Sequence, residues 1–266
     1  MVKGDCMSRV IALANQKGGV GKTTSTVNLG AALAERKQKT LLIDMDPQGA
    51  LSASVGIASY DLDASLYDVL VDADTKMAEV LKPIRPPYLD LVPANIDLAA
   101  AEVELVAQIG REFIFKEALA PVREQYDYIL IDCQPSLGLL TINALTAADR
   151  VIIPLQCEFL ALRGMRALLE TIDKIKAKLN PQLEILGVLG TMYNSGTVHS
   201  REVLQEVREV FGQKVFNVVI KDSIRFAEAP VAHQSILEYD TRHDGAAAYR
   251  ALAEVIINDG QKESVS

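Results

Sequence analysis

A chain of 266 residues that is 49% hydrophobic and 23% charged can bury the core of one large α/β domain or two small ones, which excludes disordered, collagenous and disulfide-stapled classes. Its 27 basic and 35 acidic residues leave a formal charge of −8, which excludes a uniformly basic nucleic-acid binder but permits a local basic patch. The start, MVKGDCMSRV, lacks the apolar core of a signal peptide, and no run approaches the roughly 18 apolar residues of a membrane span, so a soluble, cytoplasmic protein is expected.

Short aliphatic runs alternate with longer helical patterns, which predicts a mostly parallel, twisted sheet covered by helices on both faces. The first strand is predicted over residues 9–15, and the loop behind it, residues 16–24, runs straight into a helix over 23–36 with Val27, Leu29, Ala31, Ala32 and Leu33 on its apolar side. This loop reads KGGVGKTT from Lys17 to Thr24. Glycines at Gly18, Gly19 and Gly21 let the backbone N–H groups, including those of Val20 and Thr24, turn inward on a phosphate in front of the helix dipole. Lys22 would then reach the β- and γ-phosphates and the Thr23 hydroxyl would bind Mg2+. The general spacing GxxxxGK[ST] fails at its first position, which is Gln16, and an additional lysine, Lys17, opens the loop.

A second strand, 40–44, ends in LLIDMDPQG, which places Asp44 and Asp46 at the strand end beside the phosphate loop, where carboxylates can orient a nucleophile or a metal-bound water. A third is predicted over 89–93. The fourth, 128–132, is an apolar strand ending in Asp132, suited to the Mg2+ water shell; the loop CQPSLG follows it. Further strands are expected at 150–155, 183–190 and 214–219, and further helices at 164–178, 200–211 and 243–257. Cys6, Cys133 and Cys157 have no CxxC or CxxH spacing and read as reduced thiols, the latter two as small buried hydrophobes. With no linker or repeat in the chain, residues 1–258 are expected to form a single domain and residues 259–266 a polar tail.

Together KGGVGKTT, DMDPQG and YILIDCQPSLGLLTINAL resemble the deviant Walker A P-loop ATPases, most closely the ParA/Soj branch that partitions chromosomes and plasmids, and the likeness extends through residues 91–105, 151–165 and 224–230. The resemblance implies an ATP- and Mg2+-dependent hydrolase, slow until stimulated by a ParB-type partner, that forms an ATP sandwich homodimer. It implies that Lys17 reaches across to the partner's phosphates, that Lys22 acts in cis, that Asp46 positions the hydrolytic water, that Asp44 supports the metal region and that Asp132 holds Mg2+ through water. It further implies nonspecific binding of double-stranded DNA on the nucleoid, with Arg225 as the first DNA candidate. Lys221 and Ser223, in the stretch KDS, stand where such proteins commonly carry Pro-Arg-Asn beside the adenine. The loop 193–200 lacks a basic residue that the branch often has, Arg163, Arg166, Lys174, Lys176 and Lys178 offer compensating charge, and Gln134 replaces a usual proline. Two related readings remain: a ParA-like ATPase that positions another cargo on the nucleoid, and a MinD-like membrane switch. The second is disfavoured because the chain ends without a basic amphipathic helix.

Overall fold

The computed structural model describes residues 8–158 and 161–263. Among them, eight strands form one sheet: β1 (Arg9–Leu13), β2 (Thr40–Met45), β3 (Lys82–Arg85), β4 (Leu89–Val92), β5 (Tyr128–Cys133), β6 (Arg150–Gln156), β7 (Glu184–Tyr193) and β8 (Val215–Lys221). Their order is β3-β4-β2-β5-β1-β6-β7-β8, and every pairing except the antiparallel β3–β4 edge is parallel. Central strands β1, β2 and β5 are buried along their whole length, which explains why they read as unbroken aliphatic runs rather than as alternating ones.

Period-two alternation divides the core in two. Val10 and Ala12 of β1 face one cluster, and Ile11 and Leu13 face the other. On the Ile11 side lie α1 (Lys22–Glu35), α2 (Ala50–Ser54), α10 (Ile236–Tyr239) and α11 (Asp244–Glu263). On the Val10 side lie α3 (Leu66–Val71), α4 (Leu98–Glu104), α5 (Ile114–Arg123), α6 (Leu139–Ala147), α7 (Ala161–Lys178) and α8 (Val198–Phe211). The short α9 (Arg225–Val231) follows β8. Helices therefore cover both faces, as expected.

All seven expected strands are present with ends shifted by a few residues, and β3 was not expected. The four expected helices are present, with α7 and α11 longer than their patterns suggested. Helix α11 runs to Glu263, so residues 259–263 are helical rather than a frayed tail, and residues 264–266 lie outside the described residues. Asp259 accepts a hydrogen bond from Arg9 at 3.1 Å, and Gly260 is buried against the Arg9 guanidinium. Cys133 and Cys157 are buried free thiols, whereas Cys6 lies outside the described residues.

From β1 the chain moves to β2 on one side of the sheet and returns to β6 on the other, with β5 inserted beside β1. A topological switch of this kind opens a crevice beyond the carboxyl ends of the strands. The loops after β1, β2, β4 and β5 all leave from that edge.

Candidate active site

The loop after β1 is held in shape before any ligand is considered. Asn15 donates to Pro154 O at 2.7 Å and accepts from the Lys17 N–H at 3.0 Å, which ties the loop to β6. The Thr191 hydroxyl on β7 donates to Val20 O at 2.9 Å, and its side chain closes on Gly21. Gly19 and Gly21 take left-handed φ of 72° and 84°, a region where any Cβ is strained. Gly21 is the N-cap of α1, and no side chain caps that helix. Its first N–H groups are thus left to an anion drawn by the helix dipole.

Lys22 points into this cradle. It is 7% exposed, and its Nζ donates to Lys17 O at 3.3 Å. Burial holds its pKa below the ordinary lysine range, with Asp132, Cys133 and Asp46 pulling it partly back. A desolvated ammonium with one carbonyl partner gains strongly from an anion. Lys17 takes another course: 49% exposed, it reaches outward to Gln156 Oε1 at 2.9 Å and to Glu158 at 3.5 Å.

The Thr23 hydroxyl donates to Asp132 Oδ2 at 2.6 Å. Asp132 Oδ1 is buried and lacks any hydrogen-bond partner among the described residues, an arrangement that a hydrated divalent cation would complete. The Thr23 hydroxyl, the orphaned Asp132 oxygen and the glycine cradle thus fit a nucleoside polyphosphate carrying such a cation.

Asp44 and Asp46 have different surroundings. Asp44 is fully buried, and its carboxylate accepts from Ser52 N at 2.8 Å, from the Ser52 hydroxyl at 2.7 Å and from Asp46 N at 3.3 Å. It fastens the start of α2 to the strand end, and Ser52 in turn receives Ala94 N at 3.1 Å. Asp46 is half-buried; among the described residues its carboxylate accepts a hydrogen bond from Gln48 N alone, at 2.9 Å, within a turn closed by Gly49 N on Asp46 O. Of the pair, Asp46 has the carboxylate with capacity left for a water.

Asp44 and Asp132 are register partners on adjacent strands. Burial pushes Asp132 up to about 8, helped by the Asp44 charge, and pushes Asp44 up to about 6. Both groups hold protons in the folded state that the unfolded chain has released above about pH 4, so ligand-free stability falls as pH rises from about 4 to about 8. The thermal midpoint is therefore expected to be higher at about pH 5.5 than at about pH 8. Asp132→Asn is expected to flatten this slope and to stabilise the ligand-free protein at about pH 8 by on the order of 2 kcal/mol, while removing the stabilisation that a nucleotide–cation complex confers. Melting curves with and without that complex read both effects, and an unchanged slope would show that burial of Asp132 carries no titration cost.

The loop after β5 is gripped by α4. Glu102 accepts from Gln134 Nε2 at 2.8 Å and from Leu140 N at 3.3 Å, and its carboxylate leaves no room for a Cβ on Gly138. Neither Glu102 nor the clamps Asn15, Ser52 and Thr191 stood out in the sequence. The remaining candidates sit across the sheet. Lys221, at the end of β8, is three strand spacings of about 4.8 Å from β1 and pairs with Asp244 at 2.8 Å. The Ser223 hydroxyl lies 3.0 Å from His243 Nε2. Arg225 is exposed on α9, 2.7 Å from Glu228 and 6.0 Å from the Tyr239 ring centre. Arg166 pairs with Glu170 at 3.0 Å, and the Arg163 side chain lies outside the described ones.

A family model described as an AAA domain matches residues 8–185. The chain is 48% identical over 254 residues to the sporulation initiation inhibitor protein Soj of Bacillus subtilis, covering 96% of this chain and 100% of that one. It is 46% identical over 251 residues to the chromosome partitioning protein ParA of Myxococcus xanthus, covering 94% and 88%. Among solved structures, a Mycobacterium smegmatis protein described as cobyrinic acid a,c-diamide synthase with bound ATP analog and magnesium superposes with a TM-score of 0.84 at 42% identity, covering 94% of this chain and 95% of that one. With a family model matching residues 8–185 and 48% and 46% identity to Soj and ParA over nearly its whole length, the chain belongs to the ParA/Soj family of P-loop ATPases.

Proposed function

We propose that this chain is an ATP hydrolase requiring Mg2+, whose ATP-bound form is a sandwich homodimer that binds double-stranded DNA without sequence preference and drives chromosome or plasmid segregation with a ParB-type partner. The observation that carries the reading is the buried Lys22 inside a glycine cradle, with the orphaned Asp132 oxygen beside Thr23. The names of the Soj and ParA relatives support the cellular role, and the ATP analog and magnesium in the superposed structure support the ligand.

In this reading the backbone from Gly18 to Thr24 and the Lys22 ammonium bind the phosphates, while Thr23 and Asp132 hold Mg2+, the latter through water. When bound, Mg2+ neutralises phosphate charge as the terminal phosphoryl group departs. Asp46 orients the attacking water and Asp44 keeps the Asp46 turn in place. Lys17 exchanges its own Gln156 and Glu158 contacts for the partner's phosphates, which ties dimerisation to the presence of the γ-phosphate. Lys221 and Ser223 line the adenine side.

Arg225 contacts DNA phosphate by giving up an exposed, solvent-screened ion pair with Glu228, which counterion release repays. With two copies in the dimer, Arg225→Ala is expected to weaken DNA binding equally across sequences and to lower the slope of log K against log salt by about 2. An unchanged slope places the DNA face elsewhere. The reading as a whole is tested by light scattering and DNA binding with ATP, ADP and no nucleotide: a dimer and DNA affinity that both require ATP support it, and a monomer in ATP overturns it.

A further inference from the structure

The end of β7 carries a strained residue beside the phosphate loop. Gly190 stands opposite Val219 on β8 and Tyr193 opposite Lys221, so three residue steps on β7 match two on β8. The extra residue makes a bulge, a feature that bends a strand and re-aims side chains next to functional sites. Met192 lies within it in the left-handed region, at φ 50°, where a bulge ordinarily takes glycine and a Cβ is strained. Its side chain is exposed, so core packing of that side chain is not what holds the conformation.

The restraints lie on either side of it. Before it, Thr191 is buried: its hydroxyl donates to Val20 O at 2.9 Å, its methyl closes on Gly21, and its carbonyl accepts the Cys157 N–H of the neighbouring strand at 3.1 Å. A trans peptide points its C=O and N–H in opposite directions, so drawing Val20 O toward Thr191 turns the Gly21 N–H the other way, into the cradle. After it, Tyr193 O accepts the Asp222 N–H at 3.2 Å, which fixes the stretch Lys221–Ser223 on the adenine side. Two segments far apart in the chain thus hang from three consecutive residues, with the strained one between them. Strain of this kind persists only where the surroundings over-determine it, and it gathers at ligand clamps.

The geometry points to Thr191 and Met192 as positioning residues that link the two ends of the bound nucleotide. A base seated against Lys221–Ser223 fixes Tyr193 through Asp222, the bulge at Met192 carries that placement to Thr191, and the Thr191 hydroxyl sets the direction of the Gly21 N–H toward the phosphates. This rests on the nucleotide site proposed above. Both residues act through the segments they hold, and a ligand that supplies only phosphates forgoes the contribution of the link.

The test is isothermal titration of ATP and of inorganic tripolyphosphate, each with Mg2+, into wild type, Thr191→Val, Thr191→Ser, Met192→Val and Met192→Gly. Tripolyphosphate fills the cradle without a base, so the ratio of the two affinities reads the link. Valine keeps the shape of Thr191 and removes the donor, and the ratio is expected to fall by at least about fivefold, the lower end of coupling between sites. Serine restores the donor and is expected to bring the ratio back to within about twofold of wild type. A β-branched residue resists the left-handed region, so Met192→Val is expected to reproduce the loss with Thr191 intact, whereas Met192→Gly keeps the wild-type ratio. Met192 is exposed, so its variants carry the test even if Thr191→Val fails to fold. Equal weakening of both ligands in Thr191→Val reduces Thr191 to a clamp on the loop and overturns the link, and so does a wild-type ratio in Met192→Val. If wild type binds neither ligand, the nucleotide-site reading itself falls and the link with it.

Discussion

Lys22→Ala is expected to leave a folded protein that has lost most of its nucleotide binding, with affinity for ATP down by at least about 30-fold. The ammonium sits in the glycine cradle at 7% exposure with one weak carbonyl contact. Removing one member of a buried charge pair costs on the order of 2–5 kcal/mol, which converts to roughly 30- to several-thousand-fold in affinity. Folding is affected by two opposing contributions. Deleting a desolvated ammonium relieves a burial cost, and deleting the cation nearest Asp132 raises the cost of that carboxylate. Isothermal titration with Mg2+–ATP alongside a melting curve separates the outcomes. Wild-type affinity in the variant would remove Lys22 from the phosphate site, and an unfolded variant would show that its carbonyl contact is structural.

Asp46 is expected to behave in the opposite way. Asp46→Ala should bind ATP normally, accumulate the ATP-bound dimer and lose hydrolysis by about 100-fold or more, the scale of a group that positions or deprotonates the nucleophile. Its carboxylate also accepts the Gln48 N–H, so alanine costs the turn about 1 kcal/mol. Asp46→Asn resolves the ambiguity, because the amide oxygen can still accept that bond while the carboxylate charge is gone. Single-turnover hydrolysis in the asparagine variant reads the chemical role directly: a slow variant assigns the charge to catalysis, and a fast one reduces Asp46 to a turn residue.

What the sequence disclosed and what it concealed follow from the range of the forces involved. Loop 17–24 was legible because left-handed glycines, a lysine and a threonine at the mouth of a helix are a local pattern. Strands β1, β2 and β5 were legible because burial on both faces demands unbroken aliphatic runs. Strand β3, with sequence KPIR, is a half-exposed edge with a proline and charged ends, so it carries neither alternation nor a run. Helix α6 is buried almost throughout and shows no amphipathic stripe, while α2 and α10 are too short to show a period. The polar residues 259–263 looked like a tail because the partner of Asp259 is Arg9, 250 positions away. In the site, Asn15, Thr191, Ser52 and Glu102 act through contacts across the sheet, which spacing along the chain cannot reveal. The separation of Asp44 from Asp46 was likewise invisible, since only packing decides which of two nearby acids is sealed inside.

The clamps at Asn15 and Thr191 bear on the timing of the switch. Ordering a backbone residue costs about 1–2 kcal/mol, and for loop 17–24 that entropy is already spent when the protein folds, through bonds to Pro154 on β6 and from Thr191 on β7. Nucleotide therefore enters a rigid receptor, so capture should be governed by diffusion and by stripping of water rather than by a closing gate. The turn after Asp46 and the stretch from Gln134 to Gly138 are instead held by local bonds and by Glu102 of α4, without such ties, among the described residues, to the neighbouring strands β6 and β7. A phosphate loop ordered in advance thus spares the ligand that part of the ordering cost when it binds.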